Sequence, residues 1–353
     1  AVRSQPGEVG KRLRTMLERA MSGSTGLGSE WVKSPEVSGL IRPYDIMSSF
    51  VGRMNRKEAP APTFSRPTVS GEVLFKRAGR VTTNTPTAYP VSDVTSASVS
   101  TTVQNMAGRM LLDAFLVEDA IRSGLVTADE WMVQIRRGAA RTLENALVNG
   151  DTAGTHQDTL SSWTLDGIYA AGALDGADAA LKLFLGLRAR AVDNSATNDA
   201  GQVFTIDMAL ASLARMGNRA MSSDIAWLSS MHVLHTQIMA DPNFLTVDKI
   251  GNDAVVVRGT LGSLLGHPLD VTQFFANDLA GTNGLYTGSG ATSGLIAWDT
   301  SAFDLWWYQD PSEGEFEVKE AHAGAIHMGA TMRLAHDINC LSTDDPVSFD
   351  YDL

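Results

Sequence analysis

Residues 127–151 read TADEWMVQIRRGAARTLENALVNGD, a long helical pattern that runs directly into Asn-Gly-Asp. Thr127 and Glu130 have the spacing of a capping box, in which each side chain satisfies a backbone N–H left open by the first turn. Met132, Ile135, Ala139, Leu143 and Leu147 recur at helical spacing and form one apolar stripe, with Gln134, Arg137, Arg141 and Glu144 elsewhere on the surface. The pattern predicts a helix over 128–148, roughly 30 Å long at about 1.5 Å per residue and longer than the mean helix of a globular domain. Asn149-Gly150 tolerates positive φ and ends it. By itself the stretch fits an ordinary core helix, so the surrounding chain must decide its role.

Upstream, residues 94–122 begin with an alternation (Val94, Ala97, Val99, Thr101, Val103) that suits a half-buried strand and then shift to a helical segment. Before that, 57–93 is rich in Thr, Val, Ser and Pro. Pro60, Pro62, Pro67 and Pro86 favour extended backbone and confine any strands to edges. This is read as a two-stranded excursion with its tip near Lys76–Arg80, and a free ribbon of that kind is marginal in water. It is either a flexible surface loop or a ribbon supported by another subunit. Residues 1–56 read as an arm: Val9, Leu13, Met16, Leu17 and Ala20 suggest a short amphipathic helix. After the spacer SGSTGLGS, Trp31, Ile41 and Phe50 are among the apolar residues that need a surface to bury against.

Downstream, ADAALKLFLGLRARAV is read as helical, a second helix begins near Thr205, and IAWLSS is a strand leading into a third helix. DAVVVRG, LGHPLDVTQFF and SGLIAWD are predicted strands, and FDLWWYQ and FEVKEAHAGAIHMGATMRLAHDINC read as antiparallel strands. Helices and mainly antiparallel strands in this order indicate an α+β fold.

The totals narrow the function. Forty acidic against 28 basic residues give a net charge of -12, which argues against a surface that binds nucleic acid throughout. Cys340 is the single cysteine, so no intrachain disulfide and no Cys-based metal or redox motif can form. No run of 18 apolar residues occurs and residues 1–20 lack a signal-peptide core, so no membrane span or export by that route is expected. The numbering opens at Ala1, which fits either a trimmed initiator or a cut precursor.

The search for chemistry yields no active site. His232 and His235 lie three apart without the acid of an HExxH arrangement, and His322, His327 and His336 cannot all share one strand face. GTNGLYTGSGATSG at 281–294 is glycine-rich but lacks GxxxxGK[ST], and no GxSxG elbow occurs. No catalytic residue, cofactor or metal is therefore expected. The most suggestive charges are Arg66, Lys76, Arg77 and Arg80 on the excursion, read as bridges to carboxylates of an adjacent copy or as solubilising charges on an exposed edge.

The order of parts resembles the major capsid proteins of tailed bacteriophages, the Hong Kong 97 type of fold. The resemblance rests on GLGSEWVKSPEVSGLIRPYDIMSSF before the excursion, LLDAFLVEDAI before the long helix, and LENALVNGD at its end. LDGIYAAG, DIAWLSSMHVLHTQIMAD, LGSLLGHPLDVT and SGLIAWDTSAFDLWW follow in the family's order. Residues 194–220 have no clear counterpart and stand as an elaboration of the axial domain. The resemblance implies an N-terminal arm (1–56), an extended loop (57–93), a peripheral domain (94–175 and 305–353) with spine helix 128–148, and an axial domain (176–304). It further implies hexamers and pentamers closing into an icosahedral shell around double-stranded DNA that is held non-specifically. Portal, scaffold or cement proteins are implied as further partners, with assembly in the bacterial host cytoplasm and residence in the virion capsid. Trp31, Ile41, Phe50, Arg66, Glu72, Lys76, Arg77 and Arg80 are then candidate inter-subunit contacts. An encapsulin-like compartment with protein cargo is the nearest alternative, and an enzyme with an unrecognised site the more distant one.

Overall fold

The computed structural model describes residues 50–70, 95–115, 117, 128–152, 180–201, 203–222, 224–240, 263–275, 277, 279–286, 292–311, 313–320, 325–340 and 345–353. Residues 1–49 of the arm, the excursion tip, Thr127 of the capping box, His322 and the predicted strand DAVVVRG lie outside them. After a 3-10 turn Phe50–Arg53 come β1 (Asn55–Glu58), β2 (Thr63–Ser70), β3 (Thr95–Thr102), β4 (Gln104–Asp113) and helix α1 (Ala128–Asn149). Helix α2 (Leu187–Asp193), β5 (Thr197–Asp199), helix α3 (Ile206–Arg215) and β6 (Ile225–Ser229) follow. Next is the short helix α4 (Met231–Val233), continued as a π-turn over Leu234–Ile238. The chain closes with β7 (Ser263–Leu264), β8 (His267–Val271), β9 (Gly294–Asp299), β10 (Phe303–Gln309), β11 (Glu315–Glu320), β12 (Ala325–Ile338) and β13 (Val347–Tyr351). The α+β expectation is met.

The chain divides into two compact units. The first holds residues 105–144 and 309–333 of the described chain. Here β11 runs antiparallel to β12, from Glu315 opposite Ala330 to Glu320 opposite Ala325, and β4 also pairs with β12. Leu112, Val117, Trp131, Ile326 and Met328 form its core. Gln104–Asp113 is a strand where a helical segment was expected. Met106, Met110 and Leu112, all at even positions, are the ones that turn inward, so the two-residue period was present but hidden by exposed Ala107 and Leu111. On α1 the fully buried anchor at this end is Trp131, while Met132, Ile135 and Ala139 are only half-buried.

The second unit contains a six-stranded sheet in the order β5-β13-β9-β6-β8-β7. β9 lies antiparallel to both β6 and β13. Every residue of β6 and β9 is buried, which is why both read as continuous apolar runs with no alternation. Trp227 fills the core beside Phe204, Met208, Leu269 and Leu295, and its indole N–H donates to Leu264 O at 3.0 Å. Helix α3 starts where expected, with Thr205 accepting from Met208 N at 3.2 Å. Arg215 at its last position and Arg219 just beyond it reach buried strand carboxylates, Asp350 at 3.1 Å and Asp299 at 3.2 Å. Burial pushes the Asp350 carboxyl above its ordinary range against the pull of Ser212 and Arg215. The C-terminal VSFDY, for which no element was predicted, is β13.

The abrupt end of α1 is explained in this unit. Asn149 is buried: its Nδ2 donates to Asn145 Oδ1 at 2.8 Å and Phe274 O at 2.7 Å, and its Oδ1 accepts from Arg188 Nη1 at 2.9 Å. Gly150 N closes the last turn on Ala146 O at 2.9 Å, and Gly150 O accepts from Gly186 N at 2.7 Å. A Cβ on residue 150 would lie 2.3 Å from Ala146 O and 2.5 Å from Phe184 O, so glycine is required by close approach of two backbones. The helix thus ends in a polar clasp inside the protein.

His336 on β12 stacks on Phe303 with centroids 5.7 Å apart, meets Phe184 edge-on, and has no hydrogen-bond partner for either ring nitrogen among the described residues. Burial, reinforced by Arg190 and opposed by Asp337, lowers its pKa to about 3. The unfolded chain therefore binds this proton first as pH falls, so stability is full above the unfolded value of about 6.5 and is lost between there and about 3. In urea titrations at stepped pH, the wild type should lose about 1.4 kcal/mol more per pH unit than His336→Phe across pH 6 to 4. Parallel curves would contradict the neutral, buried imidazole.

Candidate interaction site at the root of the ribbon

β2 and β3 pair antiparallel over eight positions, Thr63 opposite Thr102 to Ser70 opposite Thr95, and among the described strands they pair only with each other. Pro67 costs nothing on such an edge. The expected strand at 95–102 is present, but it is not half-buried: Thr95–Ser100 are all exposed, and burial begins at Thr101 and Val103. Val69 is 61% exposed and Val99 41%. On β3 both faces of Thr95–Ser100 are thus exposed, while on β2 Phe64, Arg66 and Thr68 are half-buried.

Its root is fixed by charge and aromatic packing. β1 lies parallel to β10, with Asn55 opposite Asp304 and Lys57 opposite Trp306, and Ala59 N donates to Trp307 O at 2.8 Å. The Asp304 side chain has no accessible surface. Its Oδ2 accepts from Lys57 Nζ at 2.7 Å and from Arg66 Nη1 at 3.2 Å. Arg66 also forms a salt bridge with Asp337 and donates to Ile338 O at 3.1 Å, and Thr101 Oγ1 donates to Asp337 Oδ2 at 2.6 Å. Phe64 packs on Trp306 with centroids 4.9 Å apart, while Lys57 and Arg66 lie over the same ring. Ala59, Val103 and Ala335 complete a small apolar floor. One residue group further in, Arg53 pairs with buried Asp270 and Asn55 Nδ2 donates to Ser301 O at 2.8 Å.

This placement bears on the candidate contacts. Arg66, one of the candidate contacts, pairs with Asp304 and Asp337 of its own chain. Phe50 is fully buried against Trp298, at a centroid distance of 6.1 Å. Trp31, Ile41, Glu72, Lys76, Arg77 and Arg80 lie outside the described residues. Sequence reasoning missed Lys57, Asp304 and Asp337. The available signal was an aspartate inside an aromatic strand, FDLWWYQ, where only a paired carboxylate is tolerable. His232 and His235 are both exposed, and among the described residues no three His, Cys, Asp or Glu gather as a metal site. No described helix is long and apolar enough to cross a membrane.

No family model matches the chain, and no curated protein matches it. Solved structures do match along almost its whole length. A chain from Mycobacterium phage Cain aligns with TM-score 0.57 and 15% identity, covering 90% of this chain and 94% of that one. The capsid of the native GTA particle aligns at 0.54 and 12%, covering 92% and 97%. The capsid of Myoviridae Phage XM1 aligns at 0.53 and 14%, covering 94% and 100%. The fold is thus the one these phage and particle chains share, and at such identity the likeness speaks for the fold alone.

Replacing Asp304 with Asn leaves Lys57 and Arg66 facing a neutral group. Because both cations are partly exposed, the expected loss is about 1–3 kcal/mol, read as a lower denaturation midpoint. An unchanged midpoint would show that the charges at the root are ornamental.

Proposed function

We propose that this chain is the major capsid protein of a tailed bacteriophage, built on the Hong Kong 97 type of fold. Its residues 1–56 are the arm, 57–93 the extended loop, 94–175 with 305–353 the peripheral domain, and 176–304 the axial domain. Copies form hexamers and pentamers that close into an icosahedral shell around double-stranded DNA, assembled in the bacterial host cytoplasm. Portal, scaffold and cement proteins are the further partners of such a shell. The observation that carries the reading is the ribbon: eight paired positions, with Thr95–Ser100 of β3 exposed on both faces, on a root that is fixed. Two strands alone are marginal in water, so a surface from a neighbouring copy is the natural third layer. The fold shared with capsid chains of assembled particles supports it.

Shell assembly asks little of each contact. Heterologous interfaces close into rings where the rotation fits, and a micromolar contact worth about 8 kcal/mol suffices when each subunit holds several neighbours. A net charge of -12 keeps the wall from adhering to DNA along its whole surface. Trp31, Ile41, Glu72, Lys76, Arg77 and Arg80 remain the proposed contact residues on the arm and loop tip.

The test shortens the ribbon at a register-matched pair. Joining Thr68 to Ala97 through an Asn-Gly turn keeps Phe64, Arg66 and Thr101 at the root and removes the span. Sedimentation and electron microscopy should show shells with nucleic acid for the wild type in infected or expressing cells, and folded, unassembled subunits for the shortened chain. Shells from the shortened chain, or a wild type that stays a small oligomer, would overturn the proposal; particles filled with protein cargo would point to a compartment instead.

A further inference from the structure

The chain holds two Asn-Gly steps, Asn149-Gly150 and Asn283-Gly284. Glycine has no side chain to shield its amide nitrogen, so that nitrogen can reach the preceding Asn Cγ. The fold treats the two steps very differently. At Asn149 the attack requires breaking the three side-chain hydrogen bonds of the buried clasp and the last backbone bond of α1. Asn283 is exposed in the turn between Ala280 and Leu285. Its Oδ1 accepts from Leu285 N at 3.1 Å, which folds the side chain back over the peptide bearing Gly284 N. Gly284 N donates to Ala280 O at 2.8 Å, so opening this one turn frees the nucleophile. Openings of surface turns cost far less than openings of a buried core.

We propose that Asn283 is a site of spontaneous deamidation in the folded protein, and that Asn149 is protected from it. Hydroxide removes the Gly284 amide proton, and the nitrogen attacks Asn283 Cγ. The new N–Cγ bond replaces the Cγ–Nδ2 bond, and Nδ2 leaves as ammonia after taking up a proton. Water then opens the succinimide at either carbonyl to give aspartate or isoaspartate, with no change of oxidation state.

The two products have different consequences. Aspartate keeps the backbone path and an oxygen for Leu285 N. Isoaspartate adds a methylene to the main chain immediately before Gly284, where there is no slack. Gly284 has φ +68, and a Cβ on it would lie 2.6 Å from Tyr351 Cβ. Its carbonyl accepts from Arg188 Nη2 at 2.8 Å, and the same guanidinium holds Asn149 Oδ1. Isoaspartate therefore pulls on the clasp at the end of α1.

The full chain is incubated in mildly alkaline buffer, folded and in denaturant, and mapped by peptide mass with chromatography that resolves isoaspartate. Both steps should convert at comparable rates in denaturant, and in the folded protein Asn283 should convert at least about tenfold faster than Asn149. No conversion at Asn283 in the folded chain, or conversion of Asn149 at the same pace, would overturn the proposal. The isoaspartate fraction should melt below an Asn283→Asp variant; equal midpoints would sever the link to Arg188.

Discussion

A carboxylate with no accessible surface is tolerable only where donors reach it, and Asp304 is such a carboxylate. The two that reach it, Lys57 and Arg66, come from the strands on either side of the turn where the ribbon begins. One interior charge thus ties β10 to β1 and to β2, and Trp306 beneath both cations makes the same junction apolar and rigid. The root is set by this chain alone. The span beyond it is not, because nothing described in the chain covers either face of Thr95–Ser100 on β3. That contrast between a fastened root and an uncovered span leads to the reading as a shell subunit.

The same device recurs in the six-stranded sheet and beside it. Asp270, Asp299 and Asp350 are buried strand residues, and each meets an arginine carried by a neighbouring segment: Arg53, Arg219 and Arg215. Each pair gives a buried carboxylate a charged donor. The α1 clasp does for a helix end what these pairs do for strands. Neutral amides and one guanidinium fix where the helix stops, and Gly150 lets the next segment approach closer than any side chain would permit.

Much of this was legible beforehand. The helix 128–148, its stop at Asn149-Gly150, the Thr205 cap, and the strands IAWLS, GLIAWD and FDLWWYQ all announce themselves through period, cap or continuous apolar run. Three features were not. Gln104–Asp113 alternates only at Met106, Met110 and Leu112, and two exposed apolar residues between them masked the period. β13 is short and carries Asp350, whose burial depends on Arg215, more than 130 positions away in sequence; no local pattern could show that. At the candidate site the ribbon was visible from its prolines and β-branched residues. Its fastening was not, since the partners of Arg66 lie more than 230 positions away and had been sought in another molecule.

The central claim is that the span of the ribbon is stabilised by a second copy and its root by its own chain. Amide hydrogen exchange across Thr68–Ser70 and Thr95–Ala97, measured on dissociated subunits and on assembled particles, tests it directly. Fast exchange in the subunits that slows markedly on assembly is the predicted result. Equally slow exchange in dissociated subunits, or exchange that stays fast in particles, would contradict it.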